Sequence, residues 1–492
     1  MLTGALLLLL LVVIVYLLDK KPSGLPPGIW GWPLVGRMPS RSKHLADQVK
    51  QLRKKYGDII TWRIGTRVNV FLCNFKLVKT ALSKFECSDR PDFYTFKLFG
   101  EGNDVGVVFS NGVMWQTHRR FILRQLRDLG MGKSRLEAAI QHEAACLVQE
   151  LKKHTDQPMP LPKSINLAVL NVIWKLVADH RYSLQDQEGQ YFTQLLTTTT
   201  DNMQGFALNL FNYLPWLLMI TPDFVKNWMG VRVLRDGVCE LKDYMKTFIK
   251  EHQATLDPSN PKDLLDAYLI DLQERKEDPL STMNIETVRA VIMDLFGAGT
   301  ETTSTMIRWT ILYLMKYPEV QAKIQREIDA AVPRGTLPSL EHKDKLAYFE
   351  ATIHEVHRIV SLVPLGVSHY TNQDTELAGY RLPKGTVVMS HLECCHRDPS
   401  YWEKPNEFYP EHFLDDQGKF VKREHLVNFS VGRRVCVGES LARMELFVFL
   451  SAILQNFTFS APKGEVLHTE KDPQQMLFSF PKPYQVIIRE RE

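Results

Sequence analysis

The chain has 492 residues, 45% of them hydrophobic and 10% aromatic, enough to bury a large core. Its formal net charge of +4 is small for that length, and with no extended basic run or aromatic-basic repeat there is no case for a nucleic-acid partner. Seven cysteines, an odd number with no CxxC, argue against a disulfide framework and fit a reduced, cytosol-facing chain.

At the amino end, "MLTGALLLLLLVVIVYLL" carries no charge from Met1 to Leu18. As a helix it would span roughly 27 Å, close to the thinner hydrocarbon core of the endoplasmic reticulum. No basic residue precedes the run and no small-x-small site follows it, so residues 1–18 are expected to be a retained membrane anchor rather than a cleaved signal. Lys20 and Lys21 follow and should stay cytoplasmic, which places the body in the cytosol. Residues 19–36, with "KPSGLPPGIWGWPLVG", hold too much proline and glycine for a regular helix and are expected to form a semi-rigid hinge.

From about Leu45 the pattern is mainly helical, with long amphipathic stretches. "DIITWRIG" with "VNVFLC" predicts one hairpin, "LAGYRLPKGTVVMS" another, and "YQVIIRE" a last strand. Length alone suggests about three domains, but the linker-like "ATLDPSNPKD" is too brief to divide the chain. The expectation is therefore one body, residues 37–492, mainly α with a small β-sheet region. The stretch Asp201–Gly230 is very apolar although Pro215 and Pro222 break it. It reads either as core or as a second membrane contact with Trp216 and Trp228 at the interface, and both readings stay open.

Asn284 can cap a helix running to about Tyr317, where Pro318 stops it, a length near 50 Å. Its middle, "LFGAGTETTSTMIRW", holds glycines and threonines that are poor in helix interiors. A threonine hydroxyl there can bond the carbonyl of the preceding turn and distort the helix. An acid, Glu301, stands beside an alcohol, Thr302, at that weak point.

"FSVGRRVCVG", Phe429 to Gly438, sets Cys436 between small residues and beside arginines. No partner cysteine lies near enough for structural zinc, and nothing local marks a histidine that would activate a nucleophile. The apolar "ESLARMELFVFLSAIL" that follows reads as a buried helix, so Cys436 precedes a helix amino end, where amides and the dipole favour a thiolate. Gly432 and Gly438 would allow a flat, bulky object to approach the backbone. Phe429 can shield the sulfur and Arg434 can meet an anion, which together describe an axial haem ligand.

F-x-x-G-x-R-x-C-x-G is the haem signature of the cytochrome P450 family, and this chain resembles that family at every fixed position. The resemblance extends to Ala298, Gly299, Glu301 and Thr302 for the oxygen-activating helix, to Glu355 and Arg358 for the buried pair, and to Trp115, Arg119 and His369 for the haem carboxylates. It covers residues 25–490 and is most similar to the microsomal family-two branch. One departure is His412, where "PEHF" replaces the usual arginine and puts in doubt the third partner of Glu355 and Arg358.

The resemblance implies a haem-thiolate monooxygenase with non-covalent haem b held by Cys436, inserting one atom of O2 into lipophilic substrates such as steroids or xenobiotics. Thr302 and Glu301 would deliver protons. NADPH–cytochrome P450 reductase would supply electrons, with cytochrome b5 in some members, at the endoplasmic reticulum or microsome membrane. Arg120, Arg124 and Arg127 read as a docking face for that acidic partner. A haem-thiolate isomerase or dehydratase, or a haem sensor, are the alternatives; neither needs the acid–alcohol pair. Substrate-pocket stretches carried over from the family are Phe93–Val108, Asp201–Phe211, Val291–Thr302, Leu362–Val367 and Met476–Phe480. "LECCHRD" lacks the first cysteine of a covalent haem site.

Overall fold

The computed structural model describes residue 10 and residues 13–15, 19–100, 105–128, 134–275, 277–278, 281–472 and 477–492. The long helices are α1 (Leu45–Tyr56), α2 (Phe75–Ser83), α3 (Gly112–Asp128), α4 (Ser134–Lys152), α5 (Ser164–Ala178) and α6 (Gln187–Met203). They continue as α7 (Val231–Thr255), α8 (Leu264–Glu274), α9 (Ile285–Lys316), α10 (Pro318–Ala331), α11 (Ala347–Val360) and α12 (Glu439–Asn456). The strands are β1 (Gly28–Ile29), β2 (Ile59–Ile64), β3 (Arg67–Leu72), β4 (Met159–Pro160), β5 (His369–Tyr370), β6 (Thr375–Leu377), β7 (Tyr380–Leu382), β8 (Val387–Ser390), β9 (Phe457–Ser460) and β10 (Gln485–Glu490).

α9 is the axis of the helical part. Asn284 caps it by accepting from the Thr287 amide at 2.9 Å, and Tyr317 ends it directly before Pro318 opens α10. Its apolar residues join those of α5 and α12, both buried almost throughout, in one continuous cluster. Gly299 faces α5, where a Cβ would stand 2.5 Å from Cδ1 of Ile173, the yielding end of that side chain.

The main sheet has the order β1-β2-β3-β8-β5. β2 and β3 form the expected antiparallel hairpin, from Ile59 opposite Leu72 to Ile64 opposite Arg67. The second expected hairpin is corrected. β6 pairs with β7 across Ala378 and Gly379, both at positive φ, as a tight hairpin turn requires. The "VVMS" strand β8 instead runs parallel to β3, where its four residues are buried. The alternation of that stretch could not distinguish a hairpin partner from a crossover. β10, the strand expected in "YQVIIRE", joins β4 and β9.

Residues 19–36 lie along this sheet. Gly28 and Ile29 pair with Thr61 and Trp62, and Asp19 bridges Arg63. A Cβ on Gly28 would stand 1.8 Å from the Thr61 carbonyl oxygen. These contacts hold the stretch against the sheet. The expected anchor, Met1–Leu18, lies largely outside the described residues, and among the described residues no helix is long and apolar enough to cross a membrane.

Asp201–Gly230 divides between its two readings. Leu208 and Phe211 of the helix Phe206–Tyr213 are core. The helices Leu217–Ile220 and Asp223–Trp228 bury nothing fully and expose Met219, Ile220, Phe224 and Trp228.

Candidate functional site: a cysteine slot ringed by arginines

The loop before α12 closes on itself through the Cys436 amide, which donates to the Phe429 carbonyl at 3.0 Å. Ser430 and Gly432 both have positive φ. Gly432 is required here by a protein contact: a Cβ would lie 2.1 Å from the Leu82 carbonyl oxygen at the end of α2. Only Gly438 meets nothing within 4 Å, so it alone of the two glycines leaves the open face that a flat group needs. Gly438 is also the N-cap of α12, and its amide and that of Glu439 point at the cysteine sulfur.

Cys436 is exposed, yet burial by surrounding protein is the main influence on its thiol and raises the pKa despite those two amides. Deep position with open surface is the mark of a slot wall. A free thiol is disfavoured as thiolate there, and a bound metal cation reverses that balance. Phe429 is half-buried, with the Arg443 guanidinium 4.9 Å from its ring centre.

Around the slot stand three guanidinium groups. Arg434 donates to the carbonyls of Ser88 at 2.8 Å and Ser110 at 2.7 Å, and lies 3.9 Å from the ring centre of Trp115. Arg119 donates to the Val435 carbonyl, beside Cys436. Arg90, absent from the sequence reading, donates to the carbonyls of Val108, Val367 and Ser368. Burial and then the field of Arg119 lower its pKa to about 9. The indole N–H of Trp115 is buried with no hydrogen-bond partner. Cations crowded by cations, and an orphaned donor among them, fit a dianionic group with two carboxylates.

His369 sits with them, but its Nδ1–H is committed to the Cys87 carbonyl at 2.7 Å. Burial, then Arg90, hold its pKa well below the usual value.

On α9, Ala298 is exposed and Thr302 half-buried. The Thr302 hydroxyl donates to the Ala298 carbonyl at 2.7 Å, the hydrogen bond expected from the sequence, within a helix that runs unbroken from Ile285 to Lys316. Glu301 turns away from it. Glu301 Oε2 accepts from Thr197 of α6 at 2.9 Å and from Asn166 of α5 at 3.5 Å, and Asn166 in turn accepts from Arg308 at 2.6 Å. The acid and alcohol are therefore neighbours in sequence that face different elements.

The substrate stretches converge in pairs. Phe96 stacks on Phe109 with ring centres 4.0 Å apart, and Phe96, Phe99 and Val105 share a small cavity with Met293 and Asp294. Ser479 donates to the Leu362 carbonyl at 2.7 Å, while the Leu477 and Phe478 amides face Gln204. Met476 lies outside the described residues.

Asp294 also went unread. It accepts from the amides of Val107 at 2.6 Å and Val108 at 2.9 Å, tying the loop that carries the Arg434 and Arg90 contacts to α9. Its only sequence signal is a lone acid in the apolar run "VIMDLFG".

The Glu355–Arg358 pair is fully buried at 2.6 Å. Arg358 also donates to the carbonyls of His396, Pro405 and Glu407. The doubt over the third partner is resolved: His412 Nδ1 reaches Glu355 Oε2 at 3.2 Å, and Nε2 accepts from the Lys404 amide at 3.1 Å.

A thiol at a helix amino end, an open slot beside it and a rim of desolvated cations define a haem-thiolate enzyme, and the residues present fit haem b. The chain belongs to the cytochrome P450 family, whose model matches residues 26–488. It is 36% identical to human cytochrome P450 2J2 over 92% of this chain and 89% of that protein. It is 37% identical to gorilla cytochrome P450 2F5, covering 95% and 94%, and 36% identical to rat cytochrome P450 2B2, covering 96% and 95%.

Proposed function

We propose that the chain is a microsomal monooxygenase of lipophilic small molecules, with Cys436 as the metal ligand and Thr302 and Glu301 as its proton-handling residues. Haem, when bound, supplies reductive activation of dioxygen and transfer of one oxygen atom to a C–H or π-bond. Every other function belongs to the chain. Cys436 would hold the iron, and the Gly438 and Glu439 amides, which face the sulfur, would temper the thiolate charge. Arg90, Arg119, Arg434, Trp115 and His369 would hold the carboxylates of the group. Thr302 holds a proton at Oγ1 in the open middle of α9, and Glu301 connects that helix to α5 and α6. Aromatic and aliphatic side chains from the convergent stretches exclude water and orient an apolar substrate.

Electrons come from NADPH–cytochrome P450 reductase, with cytochrome b5 as a second donor, and the exposed Arg120, Arg124 and Arg127 of α3 suit an acidic partner. Residues 1–18 anchor the chain in the endoplasmic reticulum membrane, 19–36 strap the anchor to the body, and 37–492 form the cytosolic catalytic domain.

The observation that carries this reading is the accessible Cys436 at the amino end of α12, next to Arg119. The test is the carbon monoxide complex of the reduced protein. It should show the red-shifted Soret band of a thiolate ligand, and Cys436→Ala should lose it. An unchanged band in that variant overturns the assignment.

A further inference from the structure

We propose that Asp201 is the solvent-side proton donor of this site, feeding Glu301 across the Thr197 hydroxyl. The proposal rests on the proton role given to Glu301 above and adds the route by which that acid is refilled. Glu301 is half-buried and faces α5 and α6, so a proton must reach it from that side.

Thr197 and Asp201 are one turn apart on the same face of α6. Thr197 Oγ1 donates to Glu301 Oε2 at 2.9 Å, which leaves its lone pairs to accept. Asp201 is exposed to solvent and can reload there. The remaining span of one helical turn suits a single bridging water. In the relay Asp201 releases its proton, Thr197 accepts one at Oγ1 while passing its own to Glu301 Oε2, and Asp201 takes another from solvent. One proton crosses for each cycle and no electron moves.

The surroundings favour this direction. Glu301 of α9 is the charged group whose field bears on Asp201. From α5 the nearest contact of Glu301 is neutral Asn166, which Arg308 of α9 holds. α7 meets this part of α6 through Gly237, whose missing Cβ would stand 2.6 Å from Thr199 Oγ1. Although Asp201 keeps open surface, the protein packed around its carboxyl, and then Glu301, raise it to about 6, close to the working pH at which an acid both gives and regains a proton.

The test uses the haem-loaded full chain with Asp201→Asn, Asp201→Glu, Thr197→Val and Glu301→Gln. The first readout is independent of turnover. An infrared carboxylic-acid band that disappears in Asp201→Asn should titrate near pH 6 in the wild type and at lower pH in Glu301→Gln. Absence of that band, or a midpoint indifferent to Glu301→Gln, overturns the proposal.

The second readout is product formed per NADPH with 7-ethoxycoumarin as the lipophilic probe, together with peroxide release and the solvent deuterium effect. Asp201→Asn and Thr197→Val should each lower coupling roughly tenfold, below the full range for a direct proton donor, and raise the deuterium effect. Asp201→Glu should restore most of it. If Glu301→Gln uncouples but Asp201→Asn and Thr197→Val behave as wild type, the relay is wrong and the Glu301 role stands. If Glu301→Gln itself stays coupled, the Glu301 role fails and the relay with it. Thr197→Val, close in shape to the original, keeps the question open to decision if Asp201→Asn folds poorly.

Discussion

At position 412 a histidine does work that an arginine could not do in this setting. Its Nε2 accepts from the Lys404 amide while Nδ1–H faces Glu355, which fixes one neutral tautomer. An arginine has no acceptor. His412→Arg, although it restores the family's usual residue, should therefore strand the Lys404 amide and lower stability by about 1–3 kcal/mol, and His412→Ala by a similar amount. Arg358→Ala should cost about 3–5 kcal/mol, since it leaves Glu355 buried and short of its cation. Thermal unfolding of the haem-loaded protein ranks the three; a His412→Arg variant as stable as wild type would refute the tautomer argument. The two glycines of the cysteine loop separate in the same way. Gly432→Ala collides with backbone at positive φ and should abolish the loop, whereas Gly438→Ala should fold normally and weaken haem retention instead. Equal behaviour of the two would show that the open face at Gly438 is not used. Much of this site was legible in the sequence because Cys436, Arg434, Trp115 and Arg119 sit at fixed spacing within local motifs. Arg90 and Asp294 were not, since each acts on chain far away: Arg90 on Val367 and Ser368, Asp294 on Val107 and Val108.

Elements were read best where a local signal marks both ends. α9 has Asn284 at one end and Pro318 beyond the other, and its bounds fell where those residues placed them. β8 has no such punctuation for its partner, and pairing with β3 across more than three hundred residues of chain leaves no local trace. The junction of α7 and α8 shows an element held by one titrating contact. His252 places Nδ1 at the Phe248 carbonyl (2.8 Å) and Nε2 at Asp263 Oδ2 (2.9 Å), while Asp263 Oδ1 caps α8 by accepting from the Asp266 amide. His252, Asp263 and Asp266 bring three metal-type donor atoms within 4.8 Å, but each is already occupied in capping or pairing. Burial opposes the imidazolium, and the hydrogen bond and charge of Asp263 outweigh it, so the pKa of His252 is raised. A raised folded-state pKa contributes stability that is complete below the unfolded value and is lost as pH climbs through the folded one. His252→Gln should accordingly lower the melting temperature at about pH 6 and match wild type at about pH 9. A gap that stays constant across that window would mean that packing, not charge, holds the junction.

For the whole molecule, the decisive feature is where its exposed apolar surface lies. Met219 is 87% exposed, Trp228 84% and Phe224 75%, all in short helices between α6 and α7. Trp32 and Leu34 of the strap are also exposed, and the Trp216 indole donates to the Leu34 carbonyl at 3.4 Å, so the two segments meet. Large apolar side chains on two joined segments, one of them leading to the expected anchor, form a surface suited to the membrane interface, where tryptophan is favoured. The consequence is a two-part attachment. Removing residues 1–21 should release most of the protein from microsomes at high salt yet leave a fraction bound. Replacing Met219, Phe224 and Trp228 together by serine should release that remainder without altering the Soret band, because none of the three is buried in the core. Residual binding that persists after both changes would show that the patch is not the second contact. Asn428-Phe429-Ser430 and Asn456-Phe457-Thr458 are formal glycosylation sequons, which the same orientation keeps in the cytosol; the Asn428 side-chain oxygen is buried, and Asn456 donates to the Ala452 carbonyl at 2.8 Å. The native protein should therefore show no glycosidase-sensitive mass, and a glycan on either asparagine would place the body on the wrong side of the membrane for its reductase.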